Sequence, residues 1–105
     1  MTIIPYGDYS FTVTIHNAHL TTQWIHLTFS QRGYKIVDLT EPTVLDDEHC
    51  VFKITQRQTS VFNNDDEVEI QPNLILANGD RKPLVAKKCA TGKQLYKRII
   101  GEQNG

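Results

Sequence analysis

Apolar and polar residues alternate along several short stretches of this chain, which is the pattern of a β-strand with one buried face. The first two such stretches are residues 10–16 and 20–30, and a turn at residues 17–19 separates them. In the second stretch the aliphatic and phenylalanine side chains share one face, whereas Trp24 falls on the other. We therefore expect two half-buried strands, with the Trp24 indole on the outer surface.

The alternation resumes twice in the middle of the chain. A third strand is predicted over residues 34–40, after a glycine-containing break that predicts a hairpin over residues 29–36. A fourth strand is predicted over residues 50–55. Between these two strands the acidic run at residues 45–48 has no apolar period, which is typical of a solvated connector.

A short helical turn is predicted directly after the fourth strand. Thr55 and Gln58 have the spacing of a capping box. In this motif the threonine hydroxyl accepts a hydrogen bond from the backbone N–H three residues on, and the glutamine side chain accepts one from the backbone N–H of the threonine. The turn should extend over residues 56–62, because the run of Asn and Asp at residues 63–66 ends it. Val61 and Phe62 are predicted to fill one end of the core.

The longest strand is predicted over residues 67–76, with Pro72 in its middle. Proline has no amide hydrogen to donate within a sheet, so Pro72 predicts an edge position or a bulge. Asn78-Gly79 then predicts a hairpin with a type I′ turn, in which both central residues have positive φ. The return strand covers residues 82–89, where Pro83 again favours an edge, and residues 93–100 fit a helix and a strand equally well.

Together these elements predict an all-β fold, an antiparallel two-sheet sandwich of six to seven strands with one short helical turn near residues 56–62. A chain of 105 residues is about one domain. We assign residues 1–8 to an N-terminal arm, residues 9–100 to the sandwich and residues 101–105 to a flexible tail.

Composition and charge exclude several classes of function. The formal charge of -1 argues against a nonspecific nucleic-acid binder, and no window has the length of a membrane span. No signal sequence precedes the first strand, so we expect synthesis in a cytoplasm and reduced thiols at Cys50 and Cys89. We expect no contact with nucleic acid or membrane.

Two metal hypotheses arise from the residues and neither is favoured. His16, His19 and His26 could converge across a hairpin, but no acidic ligand lies nearby in sequence, and exposed histidines on a polar strand face are common. The acidic runs at residues 46–49 and 65–67 lack the alternating ligands and the glycine of a calcium loop. We therefore expect no metal and no cofactor.

The chain also carries no nucleophile motif and no glycine-rich phosphate loop, so we expect it not to be an enzyme. Lys87, Lys88, Lys93, Lys97 and Arg98 form a modest basic patch toward the C-terminus. Such a patch can guide the docking of another copy or of a partner.

Several features follow one another in a characteristic order along residues 11–100. They are the stretch WIHLTFSQ at residues 24–31 followed by a hairpin, FKITQRQT at residues 52–59 with Phe62, VEIQ at residues 68–71, the Asn78-Gly79 turn, Leu95, and Ile99 with Ile100. In this the chain resembles small structural proteins from the tail or baseplate region of phages and prophages of Gram-positive bacteria. It is more loosely similar to the immunoglobulin-like N-terminal domain of phage baseplate upper proteins.

The resemblance implies an immunoglobulin-like fold and a noncatalytic virion structural or assembly protein, made in the bacterial host cytoplasm and incorporated into the virion. Its partners would be other phage structural proteins and further copies of itself. The resemblance implies an acidic pair after Thr55-Gln56, where this chain has Arg57 and Gln58, so the charge at Arg57 is reversed. Candidate interface residues are Trp24, Tyr34, Arg57, Pro72 and Pro83.

Two other functions stay open at the level of sequence. A capsid decoration or head-fibre domain would have a similar sandwich form. A host-surface carbohydrate-binding module belongs to a different class, and Trp24 and Tyr34 would be its stacking platforms.

Overall fold

The computed structural model describes residues 2–93, which form two facing sheets and one short helix. The predicted all-β, immunoglobulin-like sandwich is confirmed. Its elements in chain order are β1 (Thr2–Ile3), β2 (Tyr9–Thr14), β3 (Trp24–Gln31), β4 (Tyr34–Leu39), β5 (Thr43–Val44), β6 (His49–Ile54), α1 (Gln56–Thr59), β7 (Glu67–Ile75), β8 (Arg81–Pro83) and β9 (Lys87–Thr91). The strands beyond the six to seven predicted are pieces of two or three residues.

The larger sheet has the order β1-β9-β7-β3-β4, with β8 also on β7, and the smaller sheet has the order β2-β6-β5. Every pairing is antiparallel except β1 with β9, which run parallel. This division of the strands between two sheets is that of an immunoglobulin-like sandwich. Since β2 and β3 belong to different sheets, the segment at residues 15–23 is a crossing between sheets and not a hairpin.

The core lies between the two sheets and centres on Phe29 of β3, which is fully buried. Its ring centroid is 5.4 Å from that of Phe11 on β2 and 6.0 Å from that of Phe62, which follows α1. Phe62 fills one end of the core, as predicted. The same prediction for Val61 is wrong, because α1 ends at Thr59 and Val61 is 55% exposed.

The capping box at α1 is confirmed. The backbone N–H of Gln58 donates to Thr55 Oγ1 at 3.3 Å, and the backbone N–H of Thr55 donates to Gln58 Oε1 at 2.9 Å. Asp8 Oδ1 accepts from the backbone N–H of Gln56 at 2.7 Å, and Thr59 Oγ1 donates to the carbonyl of Gly7 at 2.7 Å. The helical turn is thereby fixed to the segment that enters β2.

Both predicted hairpins form, but the type I′ turn lies in the first hairpin and not, as predicted, in the second. In the hairpin of β3 and β4, Arg32 and Gly33 have φ of 53° and 82°, so the type I′ geometry occurs there. At the second hairpin only Gly79 has positive φ, at 90°, and its N–H donates to the Leu76 carbonyl at 2.8 Å. The predicted type I′ turn at Asn78-Gly79 is therefore wrong, and the loop is a turn followed by a left-handed glycine.

Pro72 does not lie at a sheet edge, so that part of its prediction is wrong: β7 pairs with β3 on one side and with β8 and β9 on the other. The Pro72 carbonyl accepts from the Leu84 N–H at 2.9 Å. The N and C=O of one residue in an antiparallel strand face the same side, so the Pro72 nitrogen, which carries no hydrogen, faces the break between β8 and β9. The predicted single return strand is split there. Pro83 does lie on an edge strand, β8.

The N-terminal arm is anchored to the larger sheet, because Thr2 and Ile3 pair with Ala90 and Thr91, and Ile3 is fully buried. Alternation over two residues is too short to reveal such a strand. The choice between helix and strand for residues 94–100, and the predicted tail at residues 101–105, lie outside the described residues.

Candidate functional site

Two strand edges, one from each sheet, lie on the same side of the sandwich. Within residues 2–93, β2 pairs with β6 and has no strand on its outer edge. The neighbouring edge of β9 pairs with β1 only at Ala90 and Thr91, which leaves the first three residues of β9 without a strand beside them in the same described range.

A groove of about 550 Å³ opens between these two edges, and we call it the seam groove. Its apolar side chains are Phe11, Val13 and Ile15 from the region of β2, Leu27, Ile70 and Pro72 from β3 and β7, and Leu84, Val85 and Cys89 from the β8–β9 region. Val85 is 86% exposed, so this apolar surface continues onto the outside of the molecule.

The backbone of β2 directs half of its N–H and C=O groups toward its outer edge, away from β6. The Ile15 N–H donates to the Glu48 carbonyl at 2.8 Å, so odd-numbered residues of β2 direct their N–H and C=O groups toward β6. By the same alternation Ser10, Thr12 and Thr14 direct theirs away from β6. No strand within residues 2–93 receives these groups.

The β8–β9 side of the groove is basic. Residues 81–93 contain five Lys or Arg residues and no Asp or Glu. Lys88 Nζ lies 3.5 Å from Glu67 Oε1, but both side chains are about 60% exposed, so this ion pair contributes little to stability. Positive charge therefore borders the apolar surface on one side.

The acidic connector at residues 45–48 is exposed, as predicted, but its carboxylates also bond the crossing segment. Asp47 Oδ1 accepts from the side-chain hydroxyl of Thr21, and Glu48 Oε2 accepts from the Asn17 N–H at 2.8 Å. The hydroxyl and amide of Thr21 lower the pKa of Asp47, and the Asn17 amide lowers that of Glu48. These charges hold residues 15–23 in place between the sheets.

Asp46 makes a similar local network. Its Oδ1 atom accepts from the Glu48 N–H at 2.8 Å and lies 2.7 Å from His49 Nδ1. The hydrogen bond from the Glu48 N–H is the main cause that lowers the pKa of Asp46, and the hydrogen bond with His49 is the second. The connector is therefore ordered by hydrogen bonds of its own.

The histidines do not assemble as the metal hypothesis required. His16 follows β2 and bonds toward Glu48, with Nδ1 and Oε2 3.5 Å apart, whereas His26 lies in β3 of the other sheet. The hairpin that would place them side by side is not formed. In residues 2–93 no group of three or more His, Cys, Asp or Glu side chains is arranged to hold a metal ion.

The two cysteines are free, as predicted. Cys50 is fully buried in the core, and Cys89 is half-buried at the seam groove. Burial raises the pKa of both thiols, so both are neutral near pH 7. A neutral thiol is a poor nucleophile.

The five candidate interface residues are dispersed. Trp24 and Tyr34 are 64% and 76% exposed, but they lie at opposite ends of the β3–β4 hairpin, since Tyr34 pairs with Gln31. Seven residue steps along β3 lead from Trp24 to Gln31, a distance of roughly 23 Å at the usual rise of a strand. Arg57 is exposed on α1, Pro83 is exposed on β8, and Pro72 lines the seam groove.

The sequence prediction missed the seam groove itself. Alternation placed Phe11, Val13 and Ile15 correctly on the inward face of β2, but these side chains are only half-buried, and no strand within residues 2–93 lies on the outer edge of β2. The alternation of apolar and polar residues in a strand is the same whether or not another strand lies beside it. No local sequence pattern therefore indicates the groove.

Comparison with known protein families gives no matching family model, and a search of curated proteins gives no matching relative. Among residues 2–93 there is no helix long and apolar enough to cross a membrane.

Proposed function

We propose that this protein is a noncatalytic structural or assembly protein of a phage virion, a tail or baseplate component that acts by docking other proteins. The single observation that carries the docking role is the seam groove, where edges of both sheets that no strand within residues 2–93 covers border one apolar surface. The placement in a phage tail rests on the sequence resemblance over residues 11–100.

Unpaired strand edges support a docking role for a physical reason. An open edge presents N–H and C=O groups that pair readily with another chain, and soluble proteins commonly cover or disrupt such edges. Here the outer edge of β2 carries Ser10, Thr12 and Thr14, with no charged residue and no proline among them. An edge left in this state, beside exposed apolar side chains, favours assembly with a partner or with further copies.

The proposal is tested on particles induced from the bacterium that encodes the chain. Intact virions and tail intermediates are purified separately and analysed by mass spectrometry, and an antibody against the chain is located by immunogold electron microscopy. We expect the chain in both preparations, with label at the tail or baseplate. Absence of the chain from virions and tail intermediates alike contradicts the proposal, and label on the head supports a decoration protein instead.

The carbohydrate-binding alternative has less support in the geometry. Its two stacking residues, Trp24 and Tyr34, lie at opposite ends of a hairpin and cannot form one sugar platform. A glycan array probed with the chain and with Trp24→Ala tests it directly, and loss of a bound glycan in the variant would favour that function.

A further inference from the structure

We infer that the seam groove is an acceptor site for an extended, acidic segment of another protein, which adds as a strand beside β2. The inference rests on the docking part of the proposed function and specifies the partner at that site. Three properties of the groove determine the chemistry of its occupant: the direction of its backbone groups, the spacing of its apolar side chains and the charge of its border.

The backbone groups select an extended occupant. Thr12 and Thr14 direct N–H and C=O groups outward from β2, and groups two residues apart on a strand are about 6.6 Å apart. A strand matches this spacing with its own N–H and C=O groups, whereas a helix has used its backbone groups internally. Residues 11–15, which line the groove and have no strand of residues 2–93 on their outer edge, accommodate about five residues of a partner strand.

The side chains select apolar residues at alternate positions of that strand. Phe11, Val13 and Ile15 all face the groove, so a strand paired with β2 directs every second side chain into the same space. Apolar side chains there complete the burial of these three residues and cover Val85. The intervening side chains of the partner strand face solvent.

The positive charge beside the groove favours acidic residues in the occupant and disfavours a segment of this chain in that place. Residues 81–93 carry five basic and no acidic side chains, and residues 94–100 add Lys97 and Arg98, again without an acid. Bringing residues 94–100 into the groove would therefore juxtapose like charges. In a second copy the acidic run at residues 46–48 already bonds its own chain. A different protein with Asp or Glu beside its apolar residues fits best.

The test is a selection from a displayed library of random twelve-residue peptides against the immobilised full-length chain. We expect enriched peptides with apolar residues at every second position, flanked by Asp or Glu. The best of them is synthesised with a fluorescent label, and its dissociation constant is measured by anisotropy for the unsubstituted chain and for four variants.

The variants form two matched pairs. Val85→Asp places a carboxylate in the groove wall, and Val61→Asp makes the same change at another exposed valine. Lys87→Glu reverses a charge at the border, and Lys35→Glu does so on β4, at the other side of the same sheet. We expect Val85→Asp to weaken binding about tenfold or more and Lys87→Glu about threefold to fivefold, with both controls unchanged. Circular dichroism checks that all four are folded.

Several results overturn the inference. One is the absence of any enriched peptide, and another is enrichment of apolar residues at the three- and four-residue spacing of a helix. Equal binding by groove variants and their controls also overturns it. Peptide binding that appears only after Ile99→Asp assigns the groove to the chain's own C-terminal segment, and a dimer in light scattering that Val85→Asp dissociates assigns it to a second copy.

The two proposals fail separately. Peptide binding at the groove together with absence of the chain from virions removes the phage assignment and leaves the acceptor site. Presence of the chain in virions without any groove-dependent peptide binding removes the acceptor site and leaves the phage assignment.

Discussion

At the scale of single residues, the acidic connector shows how three neighbouring carboxylates can be exposed and still stabilise the fold. Asp46, Asp47 and Glu48 each accept a hydrogen bond from a backbone N–H, and all three have a pKa below the ordinary value. A carboxyl group whose folded pKa is lowered stabilises the folded state above its unfolded pKa, and this contribution is lost as pH falls through that value and below it.

The pH dependence of unfolding tests this role at Asp47. We expect Asp47→Asn to unfold at lower urea than the unsubstituted chain, by a difference that is constant from pH 7 to about 5 and shrinks below about pH 4, where carboxyl groups take up protons. Thr21→Val, which removes the hydroxyl that donates to Asp47, should show the same trend. A difference in unfolding free energy that does not change down to pH 3 contradicts this explanation.

At the scale of elements, short local motifs decide where strands end and turn. The capping box fixes the start of α1 directly after β6, and left-handed residues form the two hairpin loops. Each motif uses bonds within about five residues. This is why the sequence predicted their positions, although it assigned the type I′ geometry to Asn78-Gly79 and not to Arg32-Gly33.

Removing the cap should destabilise the whole sandwich, because α1 is bonded to the segment that enters β2. We expect Thr55→Ala to lower the free energy of unfolding by about 0.5–2 kcal/mol. Thr55→Ser keeps the hydroxyl oxygen that accepts from Gln58 and should stay close to the unsubstituted protein. Urea unfolding followed by intrinsic fluorescence measures both, and equal losses in the two variants contradict a capping role.

Gly33 tests the type I′ turn. Its φ is 82°, and a Cβ placed there meets no atom within 4 Å, so the cost of a side chain comes from the backbone alone. We expect Gly33→Ala to lose about 1–2 kcal/mol of stability. Gly33→Asn should lose less, since asparagine tolerates the left-handed region. Thermal unfolding ranks the three proteins, and an alanine variant as stable as the unsubstituted chain rules out this turn geometry in solution.

At the scale of the whole molecule, β3 carries both the centre of the core and an exposed aromatic residue. Phe29 is fully buried between rings from the other sheet and from the segment after α1, whereas Trp24 at the start of the same strand is 64% exposed. The same strand therefore joins the two sheets on one face and presents a surface on the other.

This contrast predicts very different effects of truncation. Phe29→Ala should cost about 3–5 kcal/mol of unfolding free energy, because it removes the contacts to Phe11 and Phe62 and leaves a cavity. Trp24→Ala should change stability by about 0.5 kcal/mol or less. Chemical denaturation of both variants measures this, with tyrosine fluorescence replacing tryptophan for the second. Similar losses at the two positions would mean that the indole is packed in the folded protein.

The longer strands, their inward faces, the capped turn and the hairpin positions could be predicted from the residues alone, because each depends on a local period or a bond between near neighbours. The pairing of the strands could not, because it depends on contacts between segments far apart in the chain. The tertiary structure placed β2 and β3 in different sheets, paired β1 with β9 and set Pro72 in a central strand. Alternation states which side chains are buried but carries no information about the strand alongside. The seam groove depends on that neighbourhood, since it exists where β2 and β9 each have an edge that no described strand covers.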